Sequence, residues 1–237
     1  YTYISSANTI TAVGAFPKFL ECSKRTFNVE PPEKELENVK GVIIVDVAGM
    51  PCDLDAWKEY CRENETVLIE DATESFGARY KDRRVGNDDH TVVFSFNVTK
   101  LIHTIEGGAI CTNDPEIDQR CKLLRRQGQV PAAFGEYHHE VFGLNFRLTD
   151  LQSAIGRVQL RRIEDFLRYR NEIASLYKTM IGEKCCNGTI WWQKVPEYVG
   201  VHPYMLFLMI CKTQELRDKI LVHLREREIE YKICWKP

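Results

Sequence analysis

The chain has 237 residues, of which 44% are hydrophobic and 28% charged, a size and composition typical of one large globular domain or one and a half. Its formal net charge of −2 gives no electrostatic footprint for nucleic acid or an anionic membrane, and its apolar runs are too short to span a bilayer. Nine scattered cysteines without a CxxC pair exclude a disulfide framework and a structural zinc site, and they predict thiols in a reducing cytoplasm.

The first part of the chain alternates between strand-like and helix-like segments. Asp53 is a plausible N-cap for a helix through about Arg62, and Asp114-Pro115 opens a second helix, with Gly128 placed as its C-cap. Four short apolar runs predict strands, and the first has the look of a strand buried on both faces: 42–45, 66–69, 90–96 and 108–111. This alternation predicts an α/β fold with a mainly parallel sheet flanked by helices.

The second part predicts an irregular segment over 130–146 and then a capping box at Thr149–Gln152 that begins a helix to about Met180. The remainder predicts a smaller α+β unit with strands at 204–211 and 229–235 around a helix at 215–226. We therefore predict a large domain over 1–165 and a small C-terminal domain over 166–237.

Two polar residues follow predicted strands of the sheet. Asp71 ends one strand and Lys100 follows another by four residues, and ligands of open α/β sheets bind beyond the carboxyl ends of the strands. Each residue alone has an ordinary explanation, since a lysine near a strand end is common and an aspartate there can cap a helix. The two positions become informative only together with the surrounding motifs.

Several other kinds of site find no support. The chain has no GxxxxGK[ST] loop, and no GxGxxG follows a strand; the lack of this dinucleotide fingerprint counts against a nucleotide-sugar-binding oxidoreductase. His138-His139 has no partner at zinc-ligand spacing, so no metal site is expected. A Ser/His/Asp triad stays possible, although no nucleophile elbow supports it.

Five segments, in order, resemble motifs of the DegT/DnrJ/EryC1/StrS family of fold-type I aminotransferases. They span nearly the whole chain: VDVAGMPCDLD at 45–55, IEDATESFGA at 69–78, SFNVTK at 95–100, EGGA at 106–109 and YHHEVFGLNFRLTDLQ at 137–152. The resemblance implies a fold-type I transferase dependent on pyridoxal 5'-phosphate (PLP). Its substrates would be a nucleotide-linked keto-6-deoxy sugar, as in the perosamine-synthase relatives, and an amino-acid donor such as glutamate.

The resemblance also implies roles for six residues. Lys100 would hold PLP covalently and shuttle the proton, and Asp71 would pair with the pyridine nitrogen. Contacts to the cofactor are implied for four more residues: Glu74 near O3′, Ser95 at the phosphate, Tyr3 stacked on the ring, and Asn145 at the phosphate in the neighbouring subunit. The last contact implies a homodimer with shared active sites.

Lysine at position 100 favours transamination, because a sugar dehydratase branch of the family carries histidine there. The family's N-terminal SSGTxAL turn and its C-terminal end have no counterpart between Tyr1 and Pro237. We therefore expect a chain incomplete at both ends. The alternative is a truncated or degenerate member with a non-catalytic binding or assembly role.

Overall fold

The computed structural model describes residues 1–185 and 188–234. The helices are α1 (Ile4–Ala12), α2 (Leu54–Glu63), α3 (Pro115–Arg125), α4 (Asp150–Arg161), α5 (Ile163–Cys185) and α6 (Gln214–Glu226), with a 3-10 turn at Val47–Gly49. The strands are β1 (Gly41–Val45), β2 (Val67–Asp71), β3 (Arg79–Tyr80), β4 (Arg83–Arg84), β5 (Thr91–Ser95), β6 (Gly108–Cys111), β7 (Gln129–Val130), β8 (His138–His139), β9 (Ile190–Trp192), β10 (Val199–Val201) and β11 (Met209–Cys211). None of the helices in these ranges combines the length and apolar character needed to cross a membrane.

The central sheet has the order β1-β2-β5-β6. β1, β2 and β5 run parallel, and β6 pairs antiparallel with β5, so the expectation of a mainly parallel sheet is confirmed. In β1, Val42 and Ile44 are buried while the alternate positions are only half-buried. The prediction of a strand buried on both faces is therefore wrong, because burial here follows the two-residue side-chain period of a strand.

Helix α2 covers the buried face of β1 and β2. Asp53 caps it as predicted, since its carboxylate accepts a hydrogen bond from the Ala56 N–H at 3.4 Å. Trp57 is fully buried in the cluster that contains Ile44 and Leu68. Its indole N–H donates to the Val29 carbonyl at 3.0 Å, so the ring is buried with its polar atom satisfied. This packing fixes the helix on the sheet.

The predicted long helix is two helices. The Thr149–Gln152 capping box is present at the start of α4, which confirms the predicted helix start. The helical backbone is interrupted at Arg162, and α5 begins at Ile163. The predicted domain boundary at 165/166 lies inside α5, whose first turns bury Ile163 and Leu167 against residues of the large domain. The division into two domains stays a prediction.

Two predicted strands of the C-terminal part are wrong over most of their length. Within 204–211 only Met209–Cys211 forms a strand, because Pro203 and the left-handed Tyr204 (φ 45) interrupt the extended backbone before it. In 229–235, the described residues 229–234 form no strand, and residue 235 lies outside the described range. The helix predicted at 215–226 is confirmed as α6, which packs against β11.

Candidate active site

The carboxyl ends of the parallel strands place the candidate residues at one edge of the sheet. Asp71 is the last residue of β2, and it is paired in register with Val45 of β1 on one side and Val93 of β5 on the other. Ser95 is the last residue of β5. Because parallel strands end at the same edge, both side chains lie where open α/β sheets bind their ligands.

The Asp71 carboxylate is held by two donors. Its Oδ1 accepts from the Thr73 N–H at 3.2 Å, and its Oδ2 accepts from the Ser6 hydroxyl at 2.7 Å. The first bond closes a local turn, so Asp71 does not cap a helix as its ordinary explanation would require. The second brings α1 onto the sheet edge. Ser6 itself contacts the Thr2 hydroxyl at 2.7 Å, which extends the polar chain toward the surface.

Glu74 connects the lysine to the backbone of the loop after β1. Its Oε1 lies 3.9 Å from Lys100 Nζ, and its Oε2 accepts from the Ala48 N–H at 2.9 Å. The two side chains keep only 17% (Lys100) and 13% (Glu74) of their surface exposed. The lysine therefore faces a carboxylate at a partly enclosed position rather than open solvent.

Burial raises the pKa of Glu74 above its usual range, and the nearby Asp71 charge acts in the same direction. The Lys100 ammonium and the Ala48 N–H oppose this shift because both favour the charged carboxylate. The pKa of Glu74 is thus the balance between desolvation and two specific partners. Any movement of either partner will change the protonation of this carboxyl group.

The segment after β5 holds Lys100 by short-range bonds. The Lys100 N–H donates to the Asn97 carbonyl at 2.9 Å, and the Asn97 side-chain amide donates to Glu106 Oε1 at 2.8 Å. Gly107 adopts φ +150, and a Cβ there would lie 2.6 Å from the Thr104 hydroxyl. At Gly108 a Cβ would lie 2.7 Å from the Phe94 carbonyl oxygen, so neither position of the Gly-Gly pair has room for a larger side chain.

Three of the expected cofactor contacts are less enclosed. Ser95 is half-buried and accepts from the Asn97 N–H at 3.3 Å. Tyr3 is the N-cap residue of α1 and exposes 61% of its surface near the Ser6–Asp71 bond. Its ring is therefore available to a ligand at the sheet edge.

Asn145 makes its described contacts outside the cluster of Asp71, Glu74 and Lys100. It is exposed, its Oδ1 accepts from Arg147 Nε at 2.9 Å, and its backbone bridges to Arg126 at the end of α3. Nothing in these contacts joins it to Lys100 of the same subunit. An exposed side chain without a bond to the chain's own cluster is what a residue serving a neighbouring subunit requires.

Sequence reasoning missed two groups at the site. The family resemblance implies a role for Tyr3 but none for Ser6, although the helix start is rich in hydroxyl groups next to an aromatic residue. The sequence gives no signal for the Ala48 N–H, because the direction of this group depends on a left-handed alanine (φ 61) before Gly49 (φ 96). Alanine seldom adopts this conformation.

One cluster away from the site has the composition of a metal site. Asp88, Asp89 and His90 bring potential ligand atoms within 4.8 Å of one another. Lys58 Nζ, however, lies 2.5 Å from Asp88 Oδ1 and 2.6 Å from Asp89 Oδ1, so an ammonium group already supplies the cation. We therefore assign no metal to this cluster.

A mainly parallel sheet with an aspartate and a lysine at its carboxyl edge defines the class of the fold-type I transferases. The chain belongs to the DegT/DnrJ/EryC1/StrS aminotransferase family, which it matches over residues 1–237. This confirms the resemblance seen in its motifs. The family assignment rests on the whole chain rather than on one motif.

Individual relatives agree with the family. The chain is 34% identical to GDP-perosamine synthase of Escherichia coli O157:H7 over 100% of its own length and 64% of the relative. It is 30% identical to the putative pyridoxal phosphate-dependent aminotransferase EpsN of Bacillus subtilis (strain 168), covering 100% of the chain and 62% of that protein. The chain thus spans less than two thirds of these relatives.

A solved structure gives the same fold. The chain superposes on Helicobacter pylori PseC, an aminotransferase involved in the biosynthesis of pseudoaminic acid, with a TM-score of 0.90 and 27% identity. The superposition covers 100% of this chain and 64% of that one. The expected fold-type I architecture is confirmed.

The residues present fit PLP, the cofactor of the family. A carboxylate fixed by two donors at the sheet edge suits a protonated ring nitrogen, which needs a permanent negative partner. A lysine amine with 17% of its side chain exposed suits covalent attachment of an aldehyde that enters from the surface.

Proposed function

We propose that the whole protein transfers an amino group from an amino acid such as glutamate to a nucleotide-linked keto-6-deoxy sugar, with PLP as cofactor. The observation that carries this proposal is the grouping of Lys100 and Glu74, 3.9 Å apart, at the edge where Asp71 ends β2. PLP, when bound, supplies an electron sink for the carbon that loses a proton.

The chain's own residues divide the work between binding and proton transfer. Lys100 would hold the cofactor and, once displaced by the donor, carry the proton at Nζ to and from the reacting carbon. Asp71 would face the ring nitrogen, with its carboxylate kept in place by Ser6 and Thr73. Glu74 would lie beside the reactive end of the ring, because it is the carboxylate nearest to Lys100 Nζ.

Ser95 and Tyr3 are proposed as further cofactor contacts. Ser95 ends β5 at the same edge as Asp71, and its hydroxyl can donate to a phosphate oxygen while it accepts from Asn97. Tyr3 is the N-cap residue of the helix that carries Ser6, and its ring would lie on the Asp71 side of the site. Stacking on the cofactor ring would cover the exposed face of Tyr3.

Asn145 supports a homodimer with shared active sites. It belongs to an irregular segment whose aromatic residues are strongly exposed: Phe134, Tyr137, Phe142 and Phe146. Exposed apolar side chains in such number mark an interaction surface. A second copy placed against this segment would bring Asn145 to the partner's cofactor phosphate.

The sugar substrate is proposed from the relatives. A 34% identical relative is named GDP-perosamine synthase, which favours a GDP-linked 4-keto-6-deoxy sugar for this protein. The retention of Lys100, Asp71 and Glu74 in one cluster argues against the non-catalytic alternative. We also infer a cytoplasmic setting from the free, buried thiols, such as Cys52 and Cys61.

Covalent trapping with the full-length protein tests the proposal. Borohydride reduction after loading with PLP is expected to label Lys100, and the label should persist in the surface variant Lys122→Ala but not in Lys100→Ala. In a separate, unreduced sample of the PLP-loaded protein, glutamate should release 2-oxoglutarate, and mass spectrometry should find an amino group on the GDP-linked keto sugar. A label on another lysine, or release of no keto acid, would overturn the assignment.

A further inference from the structure

Asp46, at the end of β1, is a fully buried carboxyl group to which the proposed chemistry gives no role. Its Oδ1 accepts from the Cys52 N–H at 2.9 Å, and its Oδ2 accepts from the Ser75 hydroxyl at 2.6 Å. Asp46 and Ser75 are both 0% exposed. Each carboxyl oxygen therefore binds a different segment of the chain.

These two segments are the ones that hold Glu74. The loop 46–52 offers the Ala48 N–H to Glu74 Oε2 at 2.9 Å, and the turn 72–77 carries Glu74 itself, next to Ser75. The segments touch directly, since a Cβ on Gly49 would lie 2.7 Å from the Glu74 carbonyl oxygen. Asp46 thus joins the segment that carries the Ala48 N–H to the segment that carries the Glu74 carboxylate. We call the two bonds from Asp46 to Cys52 and Ser75 the clamp.

The loop needs such a clamp because its backbone is strained. Ala48 adopts φ 61 and Gly49 φ 96, and a left-handed alanine persists only where its surroundings enforce it. Asn28 braces the loop from the other side, accepting from the Val47 N–H at 3.1 Å and donating to the Met50 carbonyl at 2.9 Å. Asn28 makes no bond to the Glu74 turn among its described contacts, whereas Asp46 does.

The surroundings of Asp46 disfavour its charged form. Burial, followed by the neighbouring Glu70 carboxyl, holds the pKa of Asp46 well above its usual range. An asparagine keeps the shape of the Asp46 side chain and an oxygen that can accept from the Cys52 N–H, while an apolar side chain of similar size removes both bonds. A comparison of Asp46→Asn with Asp46→Val therefore distinguishes the effect of the hydrogen bonds from the effect of side-chain volume.

We propose that Asp46 is a positioning residue for the site: by binding Cys52 and Ser75 together, it fixes the Ala48 N–H on Glu74 and so sets where the Glu74 carboxylate stands relative to Lys100. The proposal rests on the proposed function only in the catalytic role that this function gives to Glu74. The clamp itself exists in the cofactor-free protein.

The first experiment titrates Glu74 in the cofactor-free full-length protein by carboxyl carbon NMR. The charged groups that face Glu74 are Lys100, Asp71 and Lys232, and its other specific partner is the Ala48 N–H. Loss of that N–H removes an interaction favouring the carboxylate, so Asp46→Val and Ser75→Ala should raise the Glu74 pKa. Asp46→Asn should restore the wild-type titration.

The matched control is Tyr80→Phe. It removes a buried hydroxyl that donates to Asp53 Oδ1 at 2.8 Å and accepts from the Asp55 N–H at 3.2 Å, and neither bond belongs to the clamp. It should lower stability without moving the Glu74 titration. A shift in Tyr80→Phe equal to that in Ser75→Ala would show general loosening, and no shift in Ser75→Ala would overturn the proposal even if Asp46→Val fails to fold.

The second experiment measures transamination by the PLP-loaded enzyme. Ser75→Ala should lower kcat about 10-fold with little change in KM, because small displacements of a group at the reacting centre cost up to about 100-fold. In a Glu74→Gln background the same substitution should have no further effect. If the effects of Ser75→Ala and Glu74→Gln on kcat add fully, the clamp does not act through Glu74 and the proposal is overturned. If the enzyme has no activity but the NMR titration gives the expected result, only the proposed function is contradicted.

Discussion

The Ser6 hydroxyl donates to Asp71 Oδ2 at 2.7 Å, a contact between residues 65 positions apart in the chain. It joins the first helix to the edge of the central sheet at the carboxylate proposed to face the cofactor. The other carboxylate oxygen is held by the local Thr73 N–H, so the two bonds together leave Asp71 little rotational freedom. Orientation of Asp71 is therefore a property of the tertiary structure.

Ser6→Ala should weaken PLP binding by about 10-fold, because loss of one hydrogen bond to a charged group costs roughly 1.5 kcal/mol or more. The measurement is a titration of the full-length protein with PLP, followed by absorbance. Ser5→Ala is the control, since Ser5 is exposed on the same helix. Equal affinities of the two variants would show that Ser6 does not orient Asp71.

Asp71→Asn should leave the fold intact and lower kcat by at least about 100-fold. The amide keeps the shape and can still bond to Ser6 and Thr73, but it no longer offers a negative charge to a protonated ring nitrogen. Steady-state kinetics and circular dichroism on the same preparation check the two parts of this expectation. Wild-type turnover in the variant would remove Asp71 from the mechanism.

Trp57→Phe should destabilise the protein by about 2 kcal/mol. The substitution leaves a cavity under β1 and β2 and removes the indole N–H that donates to the Val29 carbonyl. Trp191→Phe is the matched control, because Trp191 is 39% exposed in β9 and its replacement should cost much less. Urea unfolding of both variants gives the comparison, and similar free energies of unfolding would contradict the placement of Trp57 in the core.

The elements that the sequence predicts well are those whose signals are local. The Asp53 cap and the Thr149–Gln152 capping box each lie within a few residues of the helix they begin, and both are present. The predicted strand over 229–235 depends instead on a pairing partner, and its described residues 229–234 have none in any sheet. Apolar alternation alone could not reveal that.

The same distinction holds for the site. The strand ends that carry Asp71 and Ser95 follow from hydrophobic patterning. The Ala48 N–H and the Ser6 hydroxyl depend on a left-handed backbone and on a contact across 65 positions, neither of which any local pattern encodes. Asn145 needs a second subunit to acquire a role, and its own subunit gives it only surface contacts.

Glu70, one residue before Asp71, makes the stability of the protein depend on pH. It is fully buried and contacts His90 Nε2 at 2.7 Å, and burial raises its pKa from 4.5 to about 7. The unfolded chain therefore releases this proton at lower pH than the folded protein does. As the pH rises from about 4.5 to 7, Glu70 therefore lowers the free energy of unfolding by up to about 3 kcal/mol.

Glu70→Gln removes this titration and keeps a side chain of the same size next to His90. The free energy of unfolding of the variant, minus that of the wild type, should therefore increase between pH 5 and 7.5 and stay constant above that range. The difference reports Glu70 together with its partner His90, whose pKa is lowered by burial and whose own titration raises the free energy of unfolding as pH rises. Urea unfolding at four pH values gives the difference, and a constant value across the range would mean that Glu70 is ionised in the folded protein throughout.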